Sequence, residues 1–359
     1  MNSTPAAPPA PAAPAAPTAP AAPTAPAEPV ASVAEGPYFD ELEVGQVFRA
    51  APGVTLTAGL ADAHRAIVGG RLPLALDAAL CAEVTGRPSL APPNLVWDVA
   101  IGQSTVATHH VKANLFYRGL VFHRTPEIGD TLRTSTEVVA LRQNRPRADR
   151  APTGLAVLRI TTTDQQGRPV LDFWRCAMLP LRDPDRATGH DDDTATVGAP
   201  PEPHALAAVI DGWDLPRFGA VAPGPAFTDL RIGQTWQVGG GDVVTSAPEL
   251  ARLTLNIAMV HHDSRVAGGR RLVYGGHTIG LAYHQVTRAL PGLVTVAGWQ
   301  GCDHVGPVHE GDTLRSDVTV EGLTALPAGG GLVRLRSRVR ADGEPDRDVL
   351  DWRFVAVLA

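Results

Sequence analysis

The chain repeats itself. FDELEVGQVF (39–48) returns as FTDLRIGQTW (227–236), PEIGDTLRTSTEV (126–138) as VHEGDTLRSDVTV (308–320), and VLDFWR (170–175) as VLDWRF (349–354). The offsets, 188, 182 and 179, are similar and the order is kept. Three ordered matches at nearly one spacing require a tandem duplication, so the fold must be built from two like units. Each unit runs to about 130–145 residues, an ordinary domain size. We place the units at 37–183 and 225–359. Between them lies RDPDRATGHDDDTATVGAPPEP (182–203), polar and proline-bearing, and 184–224 reads as a linker. Residues 1–36 are Ala/Pro low complexity; proline removes backbone donors and alanine offers little surface to bury, so a disordered tail is expected there.

Within each unit the strand pattern is plain. GLAVLRITTTD (154–164) and GLVRLRSRVRAD (331–342) alternate apolar and polar residues, as half-buried antiparallel strands do. SAPELARLTLNIA carries a capping-box pattern, Ser246 three before Glu249, followed by Leu250, Leu253 and Ile257 at helical spacing. GGHTIGLAYHQVTRAL (275–290) predicts a second helix with Ile279, Leu281 and Val286 on its apolar side. Each unit is therefore α+β, a helix-bearing segment followed by antiparallel strands.

Bulk properties exclude several classes. A net charge of -6 argues against a nucleic-acid protein. No apolar run reaches the ~18–20 residues of a membrane helix, and the N-terminus lacks the basic and apolar regions of a secretory signal. Cys81, Cys176 and Cys302 are odd in number and far apart, which points to a reducing, cytoplasmic setting and to neither a disulfide framework nor a Cys-x-x-Cys metal site. The histidines, His304 and His309 with His261 and His262, fit no established ligand spacing, so no metal is expected. Phosphate-loop and GxGxxG patterns are absent.

The string NIAMVHHD, then GGRRLVYGGHTIGLA, then DHVGPVHEGDTL, resembles the MaoC-like hydratases of the hotdog superfamily. The two-unit arrangement is most similar to the mesaconyl-CoA hydratase (β-methylmalyl-CoA dehydratase) branch. The resemblance covers residues 38–183 and 225–359. It implies a tandem, double hotdog fold, antiparallel sheets each wrapped on a central helix. It also implies reversible addition of water to an enoyl-CoA thioester, with the thioester as substrate and no further cofactor. Pairing of two chains is the family-like expectation. The usual family loop runs aspartate, four residues, histidine, one residue, acidic residue; here those positions are Asn256, His261 and Asp263. Asn256 departs, because an amide cannot exchange a proton. In the first unit the loop aligns as GGRLPLALD, with Gly70, Ala75 and Asp77, so neither catalytic-type side chain remains there.

Hydration of an α,β-unsaturated thioester needs a base for water, a proton for the α-carbon, and donors to the thioester oxygen as enolate charge develops. His261 titrates near neutrality and is the candidate acid and base. Gly275 and Gly276 open a helix and are the candidate oxyanion donors. Asn256 would orient water or a carbonyl; a carboxylate, if one is required, must come from Asp263 or Asp303. Tyr274, His277 and His304 are candidates to line the acyl pocket, and Arg270 and Arg271 to bind CoA phosphates or a substrate carboxylate. A histidine at a helix end can equally cap carbonyls, and a glycine pair can simply turn the chain. On the same fold an acyl-CoA thioesterase or a non-catalytic acyl-CoA-binding protein are the alternatives.

Overall fold

The computed structural model describes residues 34–359, so the tail expected over 1–36 lies, but for its last three residues, outside the described residues. In the first repeat, helices α1 (Ala58–Val68) and α2 (Pro93–Gln103) precede strands β1 (Ala113–Phe122), β2 (Thr131–Gln143), β3 (Thr153–Thr163) and β4 (Pro169–Pro180). In the second, α3 (Ala247–Leu253) and α4 (Gly275–Ala289) precede β5 (Leu293–His304), β6 (Thr313–Ala325), β7 (Gly331–Ala341) and β8 (Arg347–Leu358). The long strands form one antiparallel sheet in the order β2-β3-β4-β1-β5-β8-β7-β6, with short strands Val47–Phe48 and Thr235–Gln237 outside β2 and β6. The order reads the same from either end. Its centre is the β1–β5 pairing, where Tyr117 faces Cys302 and Leu120 faces Trp299. The chain therefore closes a dimer-like arrangement within itself, the α+β double hotdog that the resemblance implied.

Each half of the sheet wraps one helix. All eleven residues of α2 are buried, and Trp97 at its centre packs edge-on against Trp299 at 5.0 Å and Trp352 at 6.0 Å. Two glutamines fix the helices to the sheet. Gln103 Nε2 donates to the Leu132 carbonyl (3.1 Å), and Gln285 Nε2 donates to the Leu314 carbonyl (2.8 Å). Donor and acceptor are both displaced by the same 182 residues, so this buried tie is duplicated along with the fold. Each amide satisfies a strand carbonyl that the wrapped helix keeps from water.

Local structure departs from the sequence pattern in one place that matters. α3 ends at Leu253, and Ile257, expected on its apolar side, is 45% exposed. Leu255 explains this: its φ of 59° is left-handed, which stops the helix. The capping box does not form either. Ser246 itself has φ 56° and makes no side-chain cap; Glu310 accepts the Ala247 N–H at 3.0 Å instead, and Glu249 pairs with Arg252. The 184–224 connection also carries two short helices, Pro203–Ala207 and Leu215–Gly219, and buries Leu206, Trp213 and Phe218.

The redirected loop lies against Gly102 near the end of α2, where an added Cβ would collide with the Thr254 carbonyl. Gly59, in α1, has open space around it. Gly102→Ala should therefore lower the unfolding free energy by about 1–3 kcal/mol. Gly59→Ala should be neutral or slightly stabilising. Urea denaturation of the two variants checks the contrast; equal effects would mean the loop does not depend on that approach.

Candidate active site

The loop after α3 is held to the first repeat by its backbone. The Ile257 N–H donates to Thr105 Oγ1 (3.0 Å), and the Met259 N–H donates to the His109 carbonyl (3.0 Å). Asn256 is fixed on three sides. Its N–H donates to the Ala251 carbonyl (2.8 Å), its side-chain oxygen accepts the Ala258 N–H (3.0 Å), and its carbonyl accepts from His262 Nε2 (2.7 Å). His262 is thus half-buried and staples the loop. The Asn256 amide nitrogen has no hydrogen-bond partner among the described residues, and the side chain lines the cavity below.

His261 is set by a single bond. Its Nδ1 lies 2.8 Å from the Leu272 carbonyl, which can only accept, so the proton sits on Nδ1 and Nε2 keeps its lone pair. Burial lowers its pKa to about 4. At neutral pH it is therefore an uncharged imidazole with a basic nitrogen, the form a general base requires.

His261 and Asn256 face a cavity of about 600 Å³, large enough for an acyl group with part of a carrier. Tyr274, Gly275, Thr278 and His304 line it from the second repeat; Thr105, Asn114, Tyr117 and Arg175 line it from the first. It is composite because β1 and β5 pair. Gly275 begins α4, so its amide belongs to the turn whose N–H groups have no partner within the helix. The His304 ring lies so close to Gly275 that an added Cβ would sit 2.7 Å from Nε2. His304 is also uncharged, its pKa lowered to about 4 by burial. Lys112 and Arg150 stand at the mouth, and a contiguous groove lined by Lys112, Val260, Arg270 and Pro307 leads away from it.

Among the described residues no aspartate or glutamate lines this cavity. Asp263 lies outside, its carboxylate on the Arg265 guanidinium at 2.8 Å. Asp303 neighbours His304 on β5 but pairs with Arg118 at 2.6 Å. Gly276 does not line the cavity; it allows the Tyr274 ring and Asp98 to close in, since a Cβ there would collide with both. His277 is fully buried, with neither ring nitrogen bonded, and is likewise outside the cavity. Arg271 is held by Glu310 at 2.9 Å, while Arg270 stays exposed beside the groove. Among the described residues no group of three or more His, Cys, Asp or Glu is placed to hold a metal ion. None of their helices is long and apolar enough to cross a membrane.

Four contributors escaped the sequence reading: Asn114, Tyr117 and Arg175 in the cavity, and Asp98 behind it. Asp98 shares a buried hydrogen bond with His64 (2.8 Å), and the Tyr274 hydroxyl donates to its carbonyl (3.1 Å). Burial raises the pKa of Asp98, with the His64 bond opposing. All four belong to the first repeat, whose own loop lacked catalytic-type side chains. Register was the available signal, because β1 and β4 of one unit must meet the loop of the other once the sheets join edge to edge.

The equivalent space in the first repeat is nearly gone. Gly70, Ala75, Pro92 and Asn94 stand where Asn256, His261, Tyr274 and Gly276 stand in the second, and the cavity among them is about 20 Å³, room for a single water. α2 begins with Pro93, which has no N–H to offer, where α4 begins with Gly275.

Comparison with known proteins agrees with this architecture. A solved structure of a conserved hypothetical protein from Mycobacterium tuberculosis, described as a double hotdog, is 56% identical, covers 90% of this chain and 99% of its own, and superposes with a TM-score of 0.84. The mesaconyl-CoA hydratase of Cereibacter sphaeroides is 29% identical over 322 residues, 84% of this chain and 88% of its own. The β-methylmalyl-CoA dehydratase of Chloroflexus aurantiacus is 25% identical over 336 residues, 90% of this chain and 92% of its own. No family model matches the chain. The chain belongs to the double hotdog proteins, and over most of its length it is similar to these two hydratase/dehydratases.

The buried imidazoles make stability pH-dependent. His261, His277 and His304 have pKa values near 4 in the folded chain, against about 6.5 when unfolded. Between those values the unfolded chain binds protons that the folded chain refuses, so stability is full above about pH 6.5 and falls as the pH drops toward about 4. Each histidine contributes at most roughly 3 kcal/mol to that loss. Urea titrations between these limits should show a steep decline that His277→Phe reduces.

Proposed function

We propose that this protein is an enoyl-CoA hydratase/dehydratase that adds water reversibly to the double bond of an acyl-CoA thioester. The observation that carries this reading is His261, an uncharged imidazole with its proton held on Nδ1, facing a closed-in cavity beside the start of α4. In the hydration direction Nε2 takes a proton from water as the oxygen attacks the β-carbon. The same imidazolium returns a proton to the α-carbon, so the atoms of one water are added. The Gly275 amide, joined by the N-terminal dipole of the fifteen-residue α4, polarises the thioester oxygen during the enolate-like step. Asn256 orients the water through its free amide nitrogen.

With Asp263 and Asp303 engaged elsewhere, His261 serves both transfers. The bland role of a capping histidine is unsupported, since the carbonyl it contacts belongs to Leu272, outside any helix. Lys112, Arg150 and Arg270 suit the CoA phosphates along the mouth and groove. The three cysteines, all free and buried, fit a reducing, cytoplasmic setting. Two chains pairing is part of the same reading. The named relatives make mesaconyl-CoA and β-methylmalyl-CoA the first substrates to try.

Mixing pure protein with a conjugated enoyl-CoA should bleach the enoyl thioester absorbance without releasing thiol. His261→Ala should slow this by about 10²–10⁴-fold. Equal rates for both proteins would remove His261 from the chemistry. Thiol release at the same rate would make the protein a thioesterase, and binding without turnover across a substrate panel would make it an acyl-CoA carrier.

A further inference from the structure

Arg175 has no stated role, and its surroundings are unusual for an arginine. It sits in β4 and is 2% exposed, yet no carboxylate pairs with it among the described residues. One guanidinium nitrogen, Nη2, donates to Thr108 Oγ1 (2.7 Å) and to the Ser104 carbonyl (3.2 Å). Nε is buried with no partner, and Nη1 makes no hydrogen bond among the described residues. The side chain lines the 600 Å³ cavity together with His261, and its charge is among the influences that lower the His261 pKa. A buried cation without a counter-ion costs several kcal/mol unless something supplies the missing charge.

The internal repeat shows that the fold does not need it. On β4, Arg175 pairs in the sheet with Tyr117 of β1; on β8, Phe354 pairs with Trp299 of β5. Tyr117 and Trp299 are 182 residues apart, the same offset that relates the glutamine ties, so Phe354 occupies the position of Arg175. There it stacks on Trp352 at 3.8 Å as ordinary core. The position accepts an apolar side chain in one repeat, and in the repeat that faces the cavity it holds a guanidinium fixed on one side and open on the other.

We propose that Arg175 binds a carboxylate on the acyl group, which makes dicarboxylic enoyl thioesters the preferred substrates over neutral ones. The inference rests on the hydratase reading for the reaction but not for the binding. The unbonded Nη1 is suited to donate a charge-assisted hydrogen bond to a carboxylate oxygen. Thr108 and the Ser104 carbonyl hold the group in place before the ligand arrives. The thioester end then lies toward Gly275 and the mouth, with the double bond between it and Arg175.

The test compares wild type, Arg175→Met and Arg175→Lys on two pairs of ligands. Hydration is measured with mesaconyl-CoA and crotonyl-CoA, and binding with the unreactive saturated thioesters succinyl-CoA and butyryl-CoA by calorimetry. Wild type should prefer the dicarboxylic member of each pair. Arg175→Met should cut the mesaconyl-to-crotonyl ratio of kcat/KM by at least about 100-fold, whatever the change in His261 does to both rates alike. Arg175→Lys, which keeps the charge and loses the planar fork, should fall between the two and covers the case in which the methionine variant does not fold. No preference in wild type, or equal losses on both ligands in the variants, overturns the proposal; equal losses would instead give Arg175 the thioester oxygen or a purely structural role. If no thioester is hydrated but succinyl-CoA binds in preference to butyryl-CoA through Arg175, the hydratase reading fails and this one stands.

Discussion

Antiparallel pairing of β1 with β5 converts two sheets, each of which would end in an unpaired edge, into one continuous surface. Everything at the site follows from that seam. It brings Tyr117 and Arg175 of the first repeat opposite the His261 loop of the second. It also sets the two wrapped helices side by side, so that Tyr274 at the start of α4 reaches Asp98 in the middle of α2. A single repeat would hold either the imidazole or the guanidinium, never both.

The cavity gains its chemistry from what burial does to charge. Buried surroundings keep His261 and His304 neutral and hold Tyr274 protonated. They also make each fixed dipole, the Gly275 amide above all, act more strongly than it would in water. Carboxylates are kept out of this space by partners elsewhere: Arg265 holds Asp263 and Arg118 holds Asp303. The cluster of Asp98, His64 and Tyr274 is packed directly behind the reactive end, and Gly276 is the residue whose missing side chain makes that packing feasible.

Much of this was legible in the residues. Alternation announced β3 and β7, and the glycine pair announced the start of α4, because both signals are local and the structure keeps them local. The repeat announced the symmetric sheet. Ile257 and the Ser246 cap were misjudged since spacing alone does not reveal a backbone turned left-handed at Leu255 and at Ser246 itself. Where Asp263, Asp303, His277 and Arg175 point depends on strand register and on partners distant in sequence. The contrast between VLDFWR and VLDWRF did contain a clue. At the repeat offset of 179 Arg175 falls on Phe354, and the sheet partners Tyr117 and Trp299 agree; what only the register adds is that Arg175 faces the cavity.

The filled space in the first repeat has a consequence for how the protein responds to its ligand. A homodimer of single units would carry two like sites and could couple them. Here the second of the two equivalent spaces is reduced to about 20 Å³ among Pro92, Asn94 and their neighbours, so the cavity beside His261 has no open twin among the described residues with which to couple. Saturation of an isolated chain is then hyperbolic by construction, and any sigmoidal response must arise between chains, never within one.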